Sequence, residues 1–124
     1  MITGRCLCGD ITFEVQGTPQ GISACHCQQC RKQSGHVWSS AWVPRGELQI
    51  SGPVAWYDAS PQATRGFCQR CGSFLFWAAH DEDTISFAMG ALDEPTGLKL
   101  EKHIFVADKG DYYDIADGLP QRDQ

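Results

Sequence analysis

The segment Cys68-Gln69-Arg70-Cys71-Gly72 has the spacing of a zinc knuckle, in which a tight turn directs two thiolates at one metal ion. Gly72 follows the second cysteine and can take the positive φ angle that such a turn often needs. Another close pair, Cys6 and Cys8, is likewise followed by a glycine, Gly9. A zinc ion that supports a fold usually has four protein ligands. We therefore predict a structural zinc site formed by a four-cysteine cluster, Cys6, Cys8, Cys68 and Cys71.

The other three of the seven cysteines lie together in Cys25-His26-Cys27-Gln28-Gln29-Cys30. Residues i and i+2 of an extended segment point to the same side, which directs Cys25 and Cys27 at one metal and turns His26 away. A zinc ion held by three protein ligands keeps a fourth position open for water or substrate. This three-cysteine cluster, Cys25, Cys27 and Cys30, therefore predicts a second, catalytic zinc, which makes two zinc ions per chain. Redox-active disulfides and unrelated free thiols are the alternative interpretations of the same cysteines.

The length and charge of the chain limit the functions it can have. Its 124 residues are typical of a single domain, which we expect to span residues 1–124. The net charge is −5 and there is no tract of lysine and arginine, so we expect neither nucleic acid nor a membrane as a partner. The N-terminus lacks a signal-peptide pattern, and no segment has the roughly 18 apolar residues of a membrane span. We expect a cytoplasmic protein, and in that reducing environment clustered cysteines more often bind metal than form disulfides.

Alternation of apolar and polar residues predicts a strand-dominated domain. Ile11, Phe13 and Val15 alternate with polar residues directly after the first cysteine pair. Further strands are predicted at residues 37–43, 48–50, 54–57, 74–78, 84–89 and 103–106, and one short helix at residues 28–33. In the first of these strands, Trp38 and Trp42 fall on one face. We therefore expect a mainly β fold of antiparallel sheets with short helical turns.

Basic and aromatic side chains near the three-cysteine cluster are candidate substrate contacts. Arg31 and Lys32 follow the cluster directly and are suited to bind a carboxylate, the arginine in a bidentate manner. Trp38 is suited to form a wall of a substrate pocket, while most other aromatic residues are expected to cover the metal sites. The alternative for the two cations is that both are ordinary solvated charges. The histidines are expected to be ordinary packed or surface residues, and the alternative for His26 is that it is a fourth ligand of the three-cysteine cluster.

Three cysteine motifs and the C-terminal segment resemble those of a known family. The motifs are Gly4-x-Cys6-x-Cys8-Gly9, Cys25-His-Cys-x-x-Cys30-Arg-Lys-x-x-Gly35 and Phe67-Cys68-x-x-Cys71-Gly72. Together with His103-Ile-Phe-Val106 and Asp117-Gly118-Leu-Pro120, they resemble the glutathione-dependent formaldehyde-activating enzyme family. The resemblance extends over nearly the whole chain.

This resemblance implies a fold, a metal content and an activity. The fold would be a zinc-stabilised β-tent, built of antiparallel sheets with few helices. The four-cysteine cluster would bind a structural zinc, and the three-cysteine cluster a second zinc that acts in catalysis. The activity would be that of a carbon–sulfur lyase, which reversibly joins the thiol of glutathione to formaldehyde and gives S-hydroxymethylglutathione. A non-catalytic zinc-binding module, which binds a small thiol or a protein partner, is the alternative function.

Overall fold

The computed structural model describes residues 1–124 and contains ten strands, one α-helix and three 3₁₀ helices. The strands are β1 (Ile2–Arg5), β2 (Thr12–Val15), β3 (Gln20–Cys25), β4 (Trp38–Pro44), β5 (Leu48–Ser51), β6 (Val54–Asp58), β7 (Ala63–Cys68), β8 (Phe74–Ala79), β9 (Thr84–Ala88) and β10 (Lys102–Ile104). The helices are α1 (Gln28–Ser34) and the 3₁₀ helices Arg45–Glu47, Met89–Ala91 and Val106–Asp108. None of these helices has the length and apolar character needed to cross a lipid bilayer. The expected mainly β fold is confirmed.

The strands form two sheets. One has three strands in the order β1-β2-β5, and the other has seven in the order β10-β3-β4-β9-β8-β7-β6. Neighbouring strands are antiparallel except β10, which pairs with β3 in parallel. The large sheet is therefore mixed rather than wholly antiparallel. The parallel pair arises because residues 93–101 form neither strand nor helix and bring the chain back alongside β3.

Three strands have no clear pattern in the sequence, namely β1, β3 and β7, and each contains a glycine. Gly21 in β3 lies against the indole of Trp42, where an added Cβ atom would come within 2.6 Å of Nε1. Gly66 in β7 pairs with Trp56 of β6, and a Cβ atom there would come within 2.8 Å of the indole ring. The glycines admit the aromatic rings but interrupt the alternation by which a strand is recognised.

The main core contains side chains from both sheets. Phe13 of β2 meets Phe76 of β8 edge to face, with 5.2 Å between ring centroids. Cys6 and Cys68 are part of this core, which joins the four-cysteine cluster to it. A second, smaller apolar cluster consists of Cys25, Cys30, Trp38, Phe74 and Ala88. Each cysteine cluster is therefore attached to its own packed region.

Candidate metal centres

Two tight turns bring the four-cysteine cluster together. One turn follows β1, where the Gly9 N–H donates to the carbonyl oxygen of Cys6 at 3.2 Å. The other follows β7, where the Gly72 N–H donates to the carbonyl oxygen of Cys68 at 2.7 Å. Gly9 and Gly72 have φ angles of 86° and 82°, a region that other residues enter only at a cost. The positive φ expected from the sequence at Gly72 is therefore present in both turns.

The sulfur positions of this cluster fit a tetrahedral zinc ion. The Sγ atoms of Cys6 and Cys8 are 3.6 Å apart, and those of Cys8 and Cys68 are 3.7 Å apart. Four sulfurs at a Zn–S distance of about 2.3 Å on the corners of a tetrahedron lie about 3.8 Å from one another. A hydrogen bond with the Ser73 hydroxyl lowers the pKa of Cys71 to about 5, which favours the thiolate that a metal requires. The donor set therefore fits a closed, four-coordinate zinc.

The three-cysteine cluster lies where β3 leads into α1. Cys25 is the last residue of β3, Cys27 caps the N-terminus of α1, and Cys30 lies in its first turn. The N–H of Cys30 donates to Sγ of Cys27 at 3.3 Å, and the three Sγ atoms lie within 4.8 Å of one another. Hydrogen bonds with the other two thiols lower the pKa of Cys27 and raise the pKa of Cys25. Three sulfur ligands at this spacing fit a zinc ion that keeps a position for one further ligand.

A cavity of about 720 Å³ lies beside the three-cysteine cluster. All three cysteines line it, together with Trp38, Trp42 and Trp77 of strands β4 and β8. Small-molecule sites commonly have volumes of about 300–1,000 Å³ and mainly apolar walls. No residue of the four-cysteine cluster lines this cavity, and Cys6 lines a separate one of about 630 Å³. All three members of the three-cysteine cluster thus face one cavity of ligand size that is lined by three tryptophans, whereas only Cys6 of the four-cysteine cluster lines a cavity, and Trp38 is the tryptophan that the two cavities share.

Arg65 of β7 is a residue of this site that was not predicted from the sequence. Its side chain is buried, with 4% of the residue exposed, and it lines the cavity beside the cysteines. Nη1 donates to Sγ of Cys30 at 3.6 Å and to Oε1 of Gln33 at 3.3 Å. Because 35 positions separate Arg65 from Cys30, no local motif connects them, and only the folded sheet brings them together.

His26 points away from the cysteine sulfurs, as the periodicity of an extended segment predicts. Its Nδ1 lies 2.6 Å from the hydroxyl of Tyr113, and its Nε2 lies 2.8 Å from Nδ1 of His103. Nε2 of His103 lies 2.7 Å from Oδ2 of Asp117. Burial lowers the pKa of His26, which favours its neutral form. The sequence did not predict this chain of hydrogen bonds. It connects His26 to Tyr113 and Asp117 of the C-terminal segment. The parallel pairing of β10 with β3 brings His103 close enough to His26 to take part.

The three predicted substrate contacts lie in different places. Trp38 lines the cavity beside the three-cysteine cluster. Lys32 lines an adjoining cavity of about 620 Å³, and both cavities are lined by Gln29 and Arg65. Arg31 lines neither of the two, and its Nε is buried without a hydrogen-bond partner. Trp38 therefore lies in the same cavity as the cluster, Lys32 lies in the adjoining cavity, and Arg31 lies outside both.

The sequence is similar to those of a known protein family. The sequence matches the family model described as glutathione-dependent formaldehyde-activating enzyme over residues 1–108. The chain belongs to this family. The region that matches the glutathione-dependent formaldehyde-activating enzyme model contains both cysteine clusters and Arg65, and it ends before Tyr113 and Asp117.

Two further proteins are similar to this member of the glutathione-dependent formaldehyde-activating enzyme family. An uncharacterised lyase of Schizosaccharomyces pombe is 27% identical over 120 residues, which cover 91% of this chain and 84% of the yeast protein. The crystal structure of a Rhodobacter sphaeroides protein superposes with a TM-score of 0.57 at 20% identity, covering 78% of this chain and 90% of that one. The second similarity concerns the fold alone.

Proposed function

We propose that this protein is a zinc-dependent carbon–sulfur lyase that acts on the adduct of a small thiol and an aldehyde. The family and the yeast lyase support a lyase-type activity related to glutathione. The reactants we favour are glutathione and formaldehyde, which give S-hydroxymethylglutathione. The thiol sulfur bonds to the carbonyl carbon, the C=O double bond becomes a single bond, and the thiol proton is transferred to the oxygen. The step is reversible and needs no oxidant or reductant.

One observation carries the proposal, namely that three cysteines able to hold a metal line a cavity with tryptophan walls. A zinc ion on three protein ligands acts as a Lewis acid and accepts an oxygen or sulfur ligand at its fourth position. The tryptophan walls would limit the access of water once a substrate is bound, which strengthens electrostatic interactions inside the cavity. A cytoplasmic location is part of the proposal, because glutathione is kept reduced there.

Side chains around the cavity supply contacts to the remainder of the substrate. We assign Trp38 and Trp42 to pack against its apolar parts and to exclude water. A peptide-like thiol such as glutathione is longer than the reacting group and carries carboxylates. Lys32 lines the adjoining cavity and is proposed to bind one of them. Arg31 of the same helix lines neither cavity and is proposed to add positive charge nearby.

The rate at which glutathione exchanges with its hydroxymethyl adduct tests the proposal directly. NMR exchange spectroscopy measures this rate with and without the protein, and an equal concentration of zinc salt is the control for free metal. We expect the protein to raise the rate. Cys30→Ser should reduce that increase by at least about tenfold, because even the partners of metal ligands contribute about 10- to 100-fold.

The same experiment separates catalysis from binding alone. An unchanged exchange rate, or an increase that survives in Cys30→Ser, would exclude the glutathione–formaldehyde reaction at this site. Saturable binding of glutathione without any change in rate would instead favour the non-catalytic binding module.

A further inference from the structure

Arg65 is a buried cation that has no carboxylate partner. The salt bridges of the protein are Arg70–Asp10, His80–Asp58 and His103–Asp117. The Arg65 side chain instead contacts Sγ of Cys30 and the neutral amide of Gln33. A buried charge is costly unless a charge of the opposite sign compensates it. Asp108 lines the same cavity but forms no salt bridge with Arg65, so Cys30 of the three-cysteine cluster is the group in contact with Arg65 that can supply the compensating negative charge.

The guanidinium is also held in one position. It lies over the ring of Phe74, 5.3 Å from the centroid, at a distance typical of a cation–π contact. Phe74 in turn stacks on Trp38, with 4.1 Å between centroids and 21° between the planes. Nε of Arg65 is buried and makes no hydrogen bond. The aromatic stack therefore fixes the positive charge beside the sulfur ligands at the wall of the cavity.

A fixed positive charge at this place changes which ligand the open position prefers. A divalent metal ion with three thiolates carries one net negative charge, so that a further anion is repelled and a neutral ligand is not. The charge of Arg65 offsets this repulsion. We propose that Arg65 gives the fourth position of the three-cysteine cluster its preference for an anionic ligand, a thiolate, over a neutral nitrogen donor. This inference deepens the proposed function because it concerns the same site.

Arg70 offers a matched control. It lies between the cysteines of the zinc knuckle, but its side chain is 69% exposed and is paired with Asp10 at 3.0 Å. Its charge is therefore screened by solvent and balanced by a carboxylate. Replacing Arg70 removes the same charged group from the neighbourhood of the other cysteine cluster.

Cobalt(II) in place of zinc makes the proposal measurable, because the absorption bands of cobalt–thiolate sites change when a ligand is added. The full chain is loaded with cobalt and titrated separately with 2-mercaptoethanol and with imidazole. We expect Arg65→Gln to weaken the binding of 2-mercaptoethanol about tenfold or more relative to imidazole. Arg65→Lys, which keeps the charge, should retain most of the preference, and Arg70→Gln should behave as the unchanged protein does.

Three results would overturn the proposal. Equal loss of affinity for both ligands in Arg65→Gln would mean that Arg65 only maintains the shape of the site. Loss of the preference in Arg65→Lys to the same extent as in Arg65→Gln would mean that charge is not the cause. Unchanged affinities in Arg65→Gln would exclude a role in ligand choice. The cobalt titrations contain neither glutathione nor aldehyde. They therefore test the role of Arg65 even if the NMR exchange experiment excludes the proposed reaction.

Discussion

The two cysteine clusters offer a metal ion the same kind of ligand in different surroundings. The four-cysteine cluster is held by two turns with backbone hydrogen bonds, and Cys6 and Cys68 are each 2% exposed within the main core. The three-cysteine cluster lies at the junction of a strand and a helix, lines a cavity and contacts the buried Arg65. The first setting is suited to stabilise the fold, and the second is suited to bind a ligand. The surroundings of the cysteine ligands therefore distinguish the two clusters more clearly than the number of ligands does.

Cys71→Ser is expected to have the largest effect and would test the first half of this comparison. A structural zinc contributes about 10–16 kcal/mol of apparent binding free energy in zinc-finger peptides. A whole domain is typically stable by only about 5–15 kcal/mol. We therefore expect Cys71→Ser to lose its cooperative thermal transition, as measured by circular dichroism.

Cys30→Ser is the matched control for this prediction. It removes one sulfur from the cluster beside the cavity, and we expect the thermal transition to remain while zinc content falls from two ions to one. Native mass spectrometry counts the ions. Equal loss of folding in both variants would contradict the division between a structural and a ligand-binding centre, and loss of folding in Cys30→Ser alone would reverse it.

Much of the fold is encoded where alternation runs without interruption. Strand β2 alternates over its whole length and was predictable, as was the short helix α1. Strands β3 and β7 were not, because Gly21 and Gly66 replace apolar side chains where a tryptophan lies across the strand. The parallel pairing of β10 was not predictable either, since a strand of three residues carries no signal of its direction.

The candidate site was predictable to the extent that local spacing encodes it. Each cluster uses cysteines two or three positions apart, and Gly72 directly follows one of them. Arg65 and His103 lie 35 and 77 positions from the residues they contact, Cys30 and His26. A single arginine or histidine at such a distance carries no local pattern. The metal ligands can therefore be predicted from the sequence, whereas the positions of the residues that surround them depend on the tertiary fold.

His26→Phe should have an intermediate effect and tests whether the three-cysteine cluster is complete without a histidine. Phenylalanine fills the volume but leaves Nδ1 of the buried His103 without its partner, at a cost of about 1–3 kcal/mol. We expect the free energy of unfolding to fall by about that amount in denaturant titrations, with both metal ions retained.

His80→Phe provides the control for this variant. His80 has a 47% exposed side chain whose ring lies 3.4 Å from Asp58. The change in its free energy of unfolding should stay within about 0.5 kcal/mol, as is usual for surface positions. Release of one metal ion from His26→Phe would identify His26 as a fourth ligand. That result would remove the difference between the two clusters.

Trp42→Ala should have the smallest effect and concerns ligand binding by the second centre. Trp42 and Trp56 are both partly exposed, at 37% and 47%, and each lies across a glycine of a neighbouring strand. Only Trp42 of the two lines the cavity beside the three-cysteine cluster. Loss of a contact of about 1 kcal/mol corresponds to roughly fivefold weaker binding. We expect Trp42→Ala to raise the dissociation constant for glutathione by about that factor in calorimetric titrations of the zinc-loaded protein.

Trp56→Ala is the control, and it should leave the dissociation constant unchanged while removing a comparable aromatic surface. Equal weakening of glutathione binding in both variants would mean that the effect comes from the stability of the large sheet. The cavity would then no longer distinguish the three-cysteine cluster from the four-cysteine cluster.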